Sequence, residues 1–381
     1  MSHTVAGEPP EVDIIRTLRL TRTNEATRRY YTPPMPELID QLAKLTSLRD
    51  RDALDVALLN TIHDLLQMET ANIYRVVGDT DNEHWLTCSQ WSGQQTPPTS
   101  SSTRSWSGLD MLPALSDHPL RQQVIASQQI LQTGDNPIIT VFPLAHDHNS
   151  DSPGVLEIGT REPLSQDACR LVNGILRLYL NFRSLLDYGE HDTLTNLLNR
   201  KTFDSAFLKT TLEQQPAPNG TQDNRRQTAS VGSYWLALID IDHFKHVNDK
   251  YGHLIGDEVL LLLARLMRSC FRFHDQLYRF GGEEFVALMR CHDEAEAACV
   301  LERLRATTEA HLFPQVGTIT VSIGFSAIRI GDTPSGAFER IDKSLYYAKS
   351  HGRNQVCSYS ALVASGELIE QPPNAGDMEL F

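Results

Sequence analysis

The chain has 381 residues, enough for two or three domains, and 40% hydrophobic with 22% charged residues is a composition that builds ordinary packed cores. Acidic residues outnumber basic ones by 48 to 34, a net charge of −14, which argues against nonspecific nucleic-acid binding because a basic face supplies that affinity. The six cysteines form no Cys-x-x-Cys pair, no apolar run approaches the roughly 18 residues of a membrane span, and no hydrophobic signal core opens the chain, so a reduced, cytoplasmic protein is expected.

In chain order, residues 1–35 are polar, with Pro9-Pro10, Pro33-Pro34 and scattered arginines, and read as a disordered arm. From residue 36 to 170 the pattern becomes that of a small domain. Leu54, Leu58, Ile62, Leu65 and Leu66 recur at helical spacing, with Asp50 and Asp52 placed to favour the helix start. Strands are predicted over 71–77 and 85–91, a helix over 120–131, strands over 138–144 and 154–159, and a long closing helix. That order, with Pro143 and the run Gly154-Val155-Leu156-Glu157-Ile158, is similar to a GAF sensory domain, a PAS-type sensor being the near alternative. The resemblance implies an unidentified small ligand or a role in dimerisation. His63, His84, His146 and His148 lack the spacing of metal or haem ligands.

A linking helix over 171–190 carries Val172, Ile175, Tyr179, Phe182 and Leu186 three and four residues apart. Two heptads suit either a short coiled coil or a helix packed on its own domain. Residues 213–232 are a polar insert with proline and glycine, read as a flexible loop. The order thereafter is strand 234–239, helix 256–271, hairpin 277–289, helix 293–310, strand 317–328, helix 333–350 and strand 354–359. It predicts an α/β (α+β) domain over 191–360, a mainly antiparallel sheet with helices packed over it, and then a loose tail over 361–381.

Chemistry concentrates at the hairpin. Two apolar runs meet at Gly281-Gly282, a pair that tolerates positive φ in a tight turn, and Glu283 and Glu284 follow at once. Upstream, a buried strand ends in Asp240-Ile241-Asp242. An acid at a strand end beside a second acidic hairpin suits hard cations, which take few protein carboxylates and complete their shells with water and substrate phosphates. A solvated acidic turn and a core strand ending in a polar turn are the plainer readings of each string by itself.

Gly281-Gly282-Glu283-Glu284-Phe285 and the stretch 240–256 closely resemble the GGDEF domain of diguanylate cyclases in its Gly-Gly-Glu-Glu-Phe form. Asp192-Thr193-Leu194-Thr195, Thr318-Ile319-Thr320-Val321-Ser322-Ile323-Gly324 and Ala348-Lys349-Ser350-His351-Gly352-Arg353-Asn354 extend the likeness in the family's order. The resemblance implies a polymerase-palm-like fold and condensation of two GTP into cyclic di-GMP with two pyrophosphates, across a homodimer. It implies two Mg²⁺ per site, with Mn²⁺ an alternative, held by Asp240, Glu283 and the Ile241 carbonyl, with Glu284 close enough to share the role. Glu283 is the implied acceptor of the 3′-hydroxyl proton, with Glu284 close enough to take that catalytic role instead, and Lys245 is placed among the catalytic groups. Phe244, Lys245, Lys349 and Arg353 are implied at the phosphates; Asn248 and Asp257, with His253 nearby, at guanine. Arg272 and Asp275 fall in the register of the family's product-binding inhibitory site, with Arg303 as a helper. Two alternatives stand beside the cyclase: an inactive domain that binds GTP or cyclic di-GMP, and a scaffold that works by dimerisation.

Overall fold

A computed structural model describes residues 16–17, 35–66, 68–78, 82–93, 95–100, 111–134, 137–144, 153–213 and 232–370. The chain divides into two compact units between Asp187 and Tyr188. His146, His148 and most of the 213–232 insert lie outside the described residues.

The N-terminal unit comprises β1 (Arg16–Thr17), α1 (Met35–Ser47), α2 (Arg51–Leu65), β2 (Thr70–Val77), β3 (His84–Ser92), β4 (Gln95–Ser100), α3 (Pro119–Ser127), β5 (Leu131–Gln132), β6 (Ile138–Leu144), β7 (Gly154–Thr160) and α4 (Gln166–Glu190), the last running a few residues past the division. The strands form one antiparallel sheet in the order β1-β5-β6-β7-β2-β3-β4. Alternation along each strand sends side chains to opposite faces. Phe142, Leu156 and Ile158 join Leu45, the α2 leucines and α4 in one core, while Val141 and Val155 pack with Val124 of α3 and Trp85 in another.

Asp50 caps α2, its side chain accepting the Ala53 amide at 2.9 Å. The helix predicted over 120–131 is shorter, because Gln128 turns left-handed at φ 54° and frees Leu131–Gln132 to pair as β5. Within the span read as an arm, Arg16 and Thr17 pair with β5, an otherwise open sheet edge.

The two readings of α4 separate clearly. Val172, Ile175, Tyr179 and Leu186 are buried in the core of their own unit, with Phe182 packed against it. The Tyr179 hydroxyl donates to Asp55 and accepts from Arg75 Nη2 at 2.8 Å, and Arg183 Nη1 lies 3.4 Å from Asp55. The apolar series therefore belongs to intradomain packing. His84 has both ring nitrogens engaged, by Leu112 O and Asn82 Oδ1, each at 2.9 Å, and His63 stacks on Trp91.

The C-terminal unit continues with β8 (Leu198–Asn199), α5 (Arg200–Glu213), β9 (Ser233–Ile241), α6 (Phe244–Tyr251), α7 (His253–Cys270), β10 (Gln276–Gly281), β11 (Glu284–Cys291), α8 (Glu294–Ala310), β12 (Leu312–Phe313), β13 (Gly317–Thr318), β14 (Val321–Ala327), α9 (Pro334–Ser350), β15 (Val356–Ser358) and α10 (Tyr359–Ala364). Its sheet order is β15-β14-β9-β11-β10-β8, with parallel pairs only at the two edges. β9 is the central strand, buried from Tyr234 to Asp242, which is why it reads as a continuous apolar run.

Three departures from the predicted order bear on the site. An extra helix, α6, precedes α7, the two being separated at Gly252 with φ 85°. The strand predicted over 317–328 is broken, because Thr320 O turns to accept the Asp242 amide at 2.9 Å. α10 stands inside the predicted tail, capped by Ser358 and burying Leu362. Among the described residues no helix is long and apolar enough to cross a membrane.

Candidate active site

The central strand and its hairpin neighbour bring the acids together. β9 and β11 pair antiparallel with Glu284 directly opposite Asp240, and residues so paired project from the same face. Asp240 is buried, whereas Glu284 is exposed. Glu283 sits in the turn between β10 and β11, half-buried, beside Gly282 at φ 50°. Lys349 reaches in from the last turn of α9, its Nζ 2.8 Å from Asp240 Oδ2.

Burial pushes the Asp240 carboxyl up; Lys349 opposes this, and Glu284 and Asp242 add repulsion. Glu283 is likewise pushed up by burial and then by Asp240. Burial is the largest cause for both groups; the lesser mutual repulsion of Asp240, Glu283 and Glu284 is one that a small divalent cation would relieve. Among the described residues no group of three or more His, Cys, Asp or Glu side chains is placed to hold a metal ion by itself. Carboxylate oxygens are hard donors, and Mg²⁺ takes few of them and completes its shell with water and phosphate oxygens, so the donor type of Asp240 and Glu283 would suit that ion. Ile241 is fully buried, and its carbonyl is that residue's one possible metal donor.

Phe244 and Lys245 open α6, where unpaired helix amides favour anions. The Phe244 ring itself is core, so any phosphate contact there falls to its backbone; Lys245 is exposed. Asn248 on α6 packs against Gly256 of α7, the residue before Asp257. A Cβ at Gly256 would lie 2.0 Å from Asn248 Oδ1, so that amide rests directly on the glycine. His253 is exposed at the start of α7. Arg353 is exposed just past α9, in a left-handed turn with φ 64°.

The second cluster lies where α7 passes into β10. The Arg272 amide donates to Asp275 Oδ2 at 2.9 Å, closing a turn, and Arg303 of α8 donates to the Cys270 carbonyl just before it. Burial raises Asp275 to about 6 and lowers His274 to about 4, so the neighbouring imidazole is neutral at pH 7 and their 3.9 Å approach is no ion pair there. The Arg272 guanidinium is engaged by Glu296 at 2.7 Å.

Several residues of the site escaped sequence reading. Arg279 donates to Asp192 Oδ1 at 3.0 Å and, through Nε and Nη2, to the Gly282 carbonyl at 3.2 and 2.9 Å. It ties the segment after α4 to the acidic turn. Burial raises the Asp192 carboxyl, but donors from Thr195 and Arg279 outweigh this and hold it below the usual range. Phe203, Tyr278, Phe280 and Phe338 form an aromatic cluster involving the hairpin strand β10.

A family profile described as "Diguanylate cyclase, GGDEF domain" matches residues 189–355. Diguanylate cyclase DgcM of Escherichia coli K12 is 38% identical over 169 residues, which are 44% of this chain and 38% of that protein. Diguanylate cyclase DgcZ of the same organism is 31% identical over 242 residues, covering 59% of this chain and 74% of the relative. The chain thus spans well under half the length of some curated relatives and most of another. Among solved structures, the coiled coil and GGDEF domain of DgcB from Caulobacter crescentus, in complex with c-di-GMP, is 28% identical with a TM-score of 0.42, over 51% of this chain and 100% of that one.

Proposed function

This chain belongs to the GGDEF-domain diguanylate cyclase family, and from that premise we propose that it condenses two GTP into cyclic di-GMP, releasing two pyrophosphates. The observation that carries the reading is the convergence of Asp240, Glu283 and Glu284, with Lys349, on one end of the central strand pair.

In this mechanism the 3′-oxygen of each GTP forms a bond to the α-phosphorus of the other, and the bond from that phosphorus to pyrophosphate breaks. Glu283 takes the hydroxyl proton; its raised proton affinity moves it toward the neutral range where a general base works best. Asp240, Glu283 and the Ile241 carbonyl would hold divalent ions, two Mg²⁺ or Mn²⁺, which supply charge stabilisation at the α-phosphate. Lys349 and Arg353 orient the phosphates, with Lys245 and the opening amides of α6. Asn248 and Asp257 read the donor edge of guanine, with His253 at the margin. One unit holds one GTP, so ring closure needs two copies facing each other. Arg272, Asp275 and Arg303 bind product and inhibit. The N-terminal unit is a GAF-like sensor that sets output.

The test is purified protein incubated with GTP and Mg²⁺, with nucleotide products identified by mass spectrometry. Wild type is expected to yield cyclic di-GMP. Glu283→Gln should lose at least about 100-fold in turnover while melting as wild type does. Retained turnover would remove Glu283 from its role, and GTP binding without product in wild type would favour the inactive receptor.

A further inference from the structure

Immediately after α9 the backbone takes three successive left-handed residues: Gly352 at φ 113°, Arg353 at 64° and Asn354 at 46°. Glycine is at ease there and asparagine tolerates it, but for arginine the conformation is unfavourable. Something must hold this turn: the Arg353 amide donates to the Ala348 carbonyl at 3.0 Å and Gln355 Nε2 to the Ala348 and His351 carbonyls, while the contacts that reach beyond α9 meet at Asn354. Its backbone amide donates to Asp242 Oδ2 at 3.0 Å. Its side chain accepts from Arg305 Nη1 at 2.8 Å and donates from Nδ2 to Glu309 Oε1 at 2.8 Å. Arginine can only donate and a carboxylate only accepts, so the amide has a single satisfactory orientation. Arg305 and Glu309 are themselves paired at 2.7 Å on α8.

The other anchor is as specific. Asp242 is buried, and its oxygens accept from Thr320 Oγ1 and Ser322 Oγ, each at 2.7 Å, besides the Asn354 amide. It stands two residues beyond Asp240 at the end of the central strand. The chain end bearing the metal-binding carboxylate and the turn bearing Arg353 are therefore joined through one carboxylate and one amide.

We propose that Asn354 is a positioning residue for substrate binding: clamped between Asp242 and the Arg305–Glu309 pair, it fixes the turn that presents Arg353 to the triphosphate. The proposal rests on the reading that Arg353 meets phosphate. Nothing about Asn354 itself contacts the reacting atoms, so its influence must pass through Arg353.

The experiment uses the full chain and a double-mutant cycle, with calorimetric binding of 3′-deoxy-GTP and Mg²⁺ as the readout, which needs no turnover. Asn354→Ala should weaken binding roughly five- to tenfold, the scale of one released left-handed residue. In an Arg353→Ala background the same change should shift binding less than about twofold. With GTP, Asn354→Ala should raise KM by a similar factor and leave kcat within about threefold. Arg305→Gln, which removes one arm from the outside, should weaken binding about two- to threefold and carries the test if Asn354→Ala does not fold. Equal losses in both backgrounds, or unchanged binding in Asn354→Ala, would overturn the positioning role while leaving Arg353 at the phosphates. Unchanged binding in Arg353→Ala alone would remove the phosphate contact itself, and this inference with it.

Discussion

Arg279 offers a sharp test of how the acidic turn is held. Arg279→Ala deletes a bond to Asp192 and two bonds to the Gly282 carbonyl. The Arg279–Asp192 pair is mostly enclosed, at 13% and 24% side-chain exposure, so solvent screens it only in part. Hydrogen bonds to charged groups contribute about 1.5–3 kcal/mol. Asp192 keeps both Thr195 donors, and the exposed Gly282 carbonyl can turn to water, so the lower end of that range applies. A loss of about 1.5 kcal/mol corresponds to a fall in melting temperature of roughly 3–6 °C for a unit of this size. Turnover should suffer more than stability, because Glu283 follows Gly282 directly and a displacement of about 1 Å at a catalytic group can cost about 100-fold. Arg279→Lys is the informative companion. It retains a cation for Asp192 yet cannot aim two parallel donors at one carbonyl, so it should recover most of the stability and little of the rate. Pyrophosphate release and thermal melting measure the two effects. Turnover within twofold of wild type in Arg279→Ala would refute the idea that this guanidinium positions the turn.

If Arg272 binds product as proposed, Glu296, paired with it at 2.7 Å, would compete for it; the His292 amide and Arg272 hold the Glu296 carboxyl below its ordinary value. Glu296→Gln should tighten cyclic di-GMP binding about two- to fivefold, the scale of a partly exposed ion pair; weaker binding would make Glu296 a contact of the product instead. Acid stability reports on the same turn. His274 is held at about 4, below its ordinary 6.5, so its contribution is full above pH 6.5 and lost as pH falls toward 4. Asp275, raised from 3.8 to about 6, acts in the opposite sense, its contribution full below 3.8 and lost as pH rises through 6. His274→Gln leaves Asp275 alone, so between pH 6.5 and about 4.5 the mutant should improve relative to wild type by about 2 kcal/mol in urea denaturation, and parallel pH profiles would count against it.

What the sequence made legible was local. The strand ending at Asp240, the turn at Gly281-Gly282 and the acids after it are carried by adjacent residues, and apolar spacing places most helices within a few positions. A helix start at Phe244-Lys245 was legible, but the division of α6 from α7 was hidden because it falls at Gly252, at positive φ, and eight residues are too few to show a period. α10 has six residues, too few for a period to emerge. The contacts that organise the site join distant segments: Arg279 with Asp192 across 87 residues, Arg305 with Asn354 across 49, and Arg272 with Glu296 across 24. No spacing rule reaches that far. The apolar stripe of α4 fitted two packings equally, and the bonds from Tyr179 and Arg183 to Asp55, on a helix over a hundred residues earlier, separate them.

The charge balance at the end of the central strands constrains how substrate enters. Among the described residues, Lys349 is the cation that acts on Asp240 and Glu283, and its ammonium is already committed to Asp240. A triphosphate has the same sign as this cluster, so a free nucleotide is repelled by the very groups assigned to its chemistry. Lys245 and Arg353 are exposed, where water screens their attraction. On the proposed function, binding would depend on cations that arrive with the nucleotide, and the raised proton affinities of Asp240 and Glu283 would make protons compete with those cations as pH falls. An acidic chain can thus hold a polyanionic substrate without a basic surface.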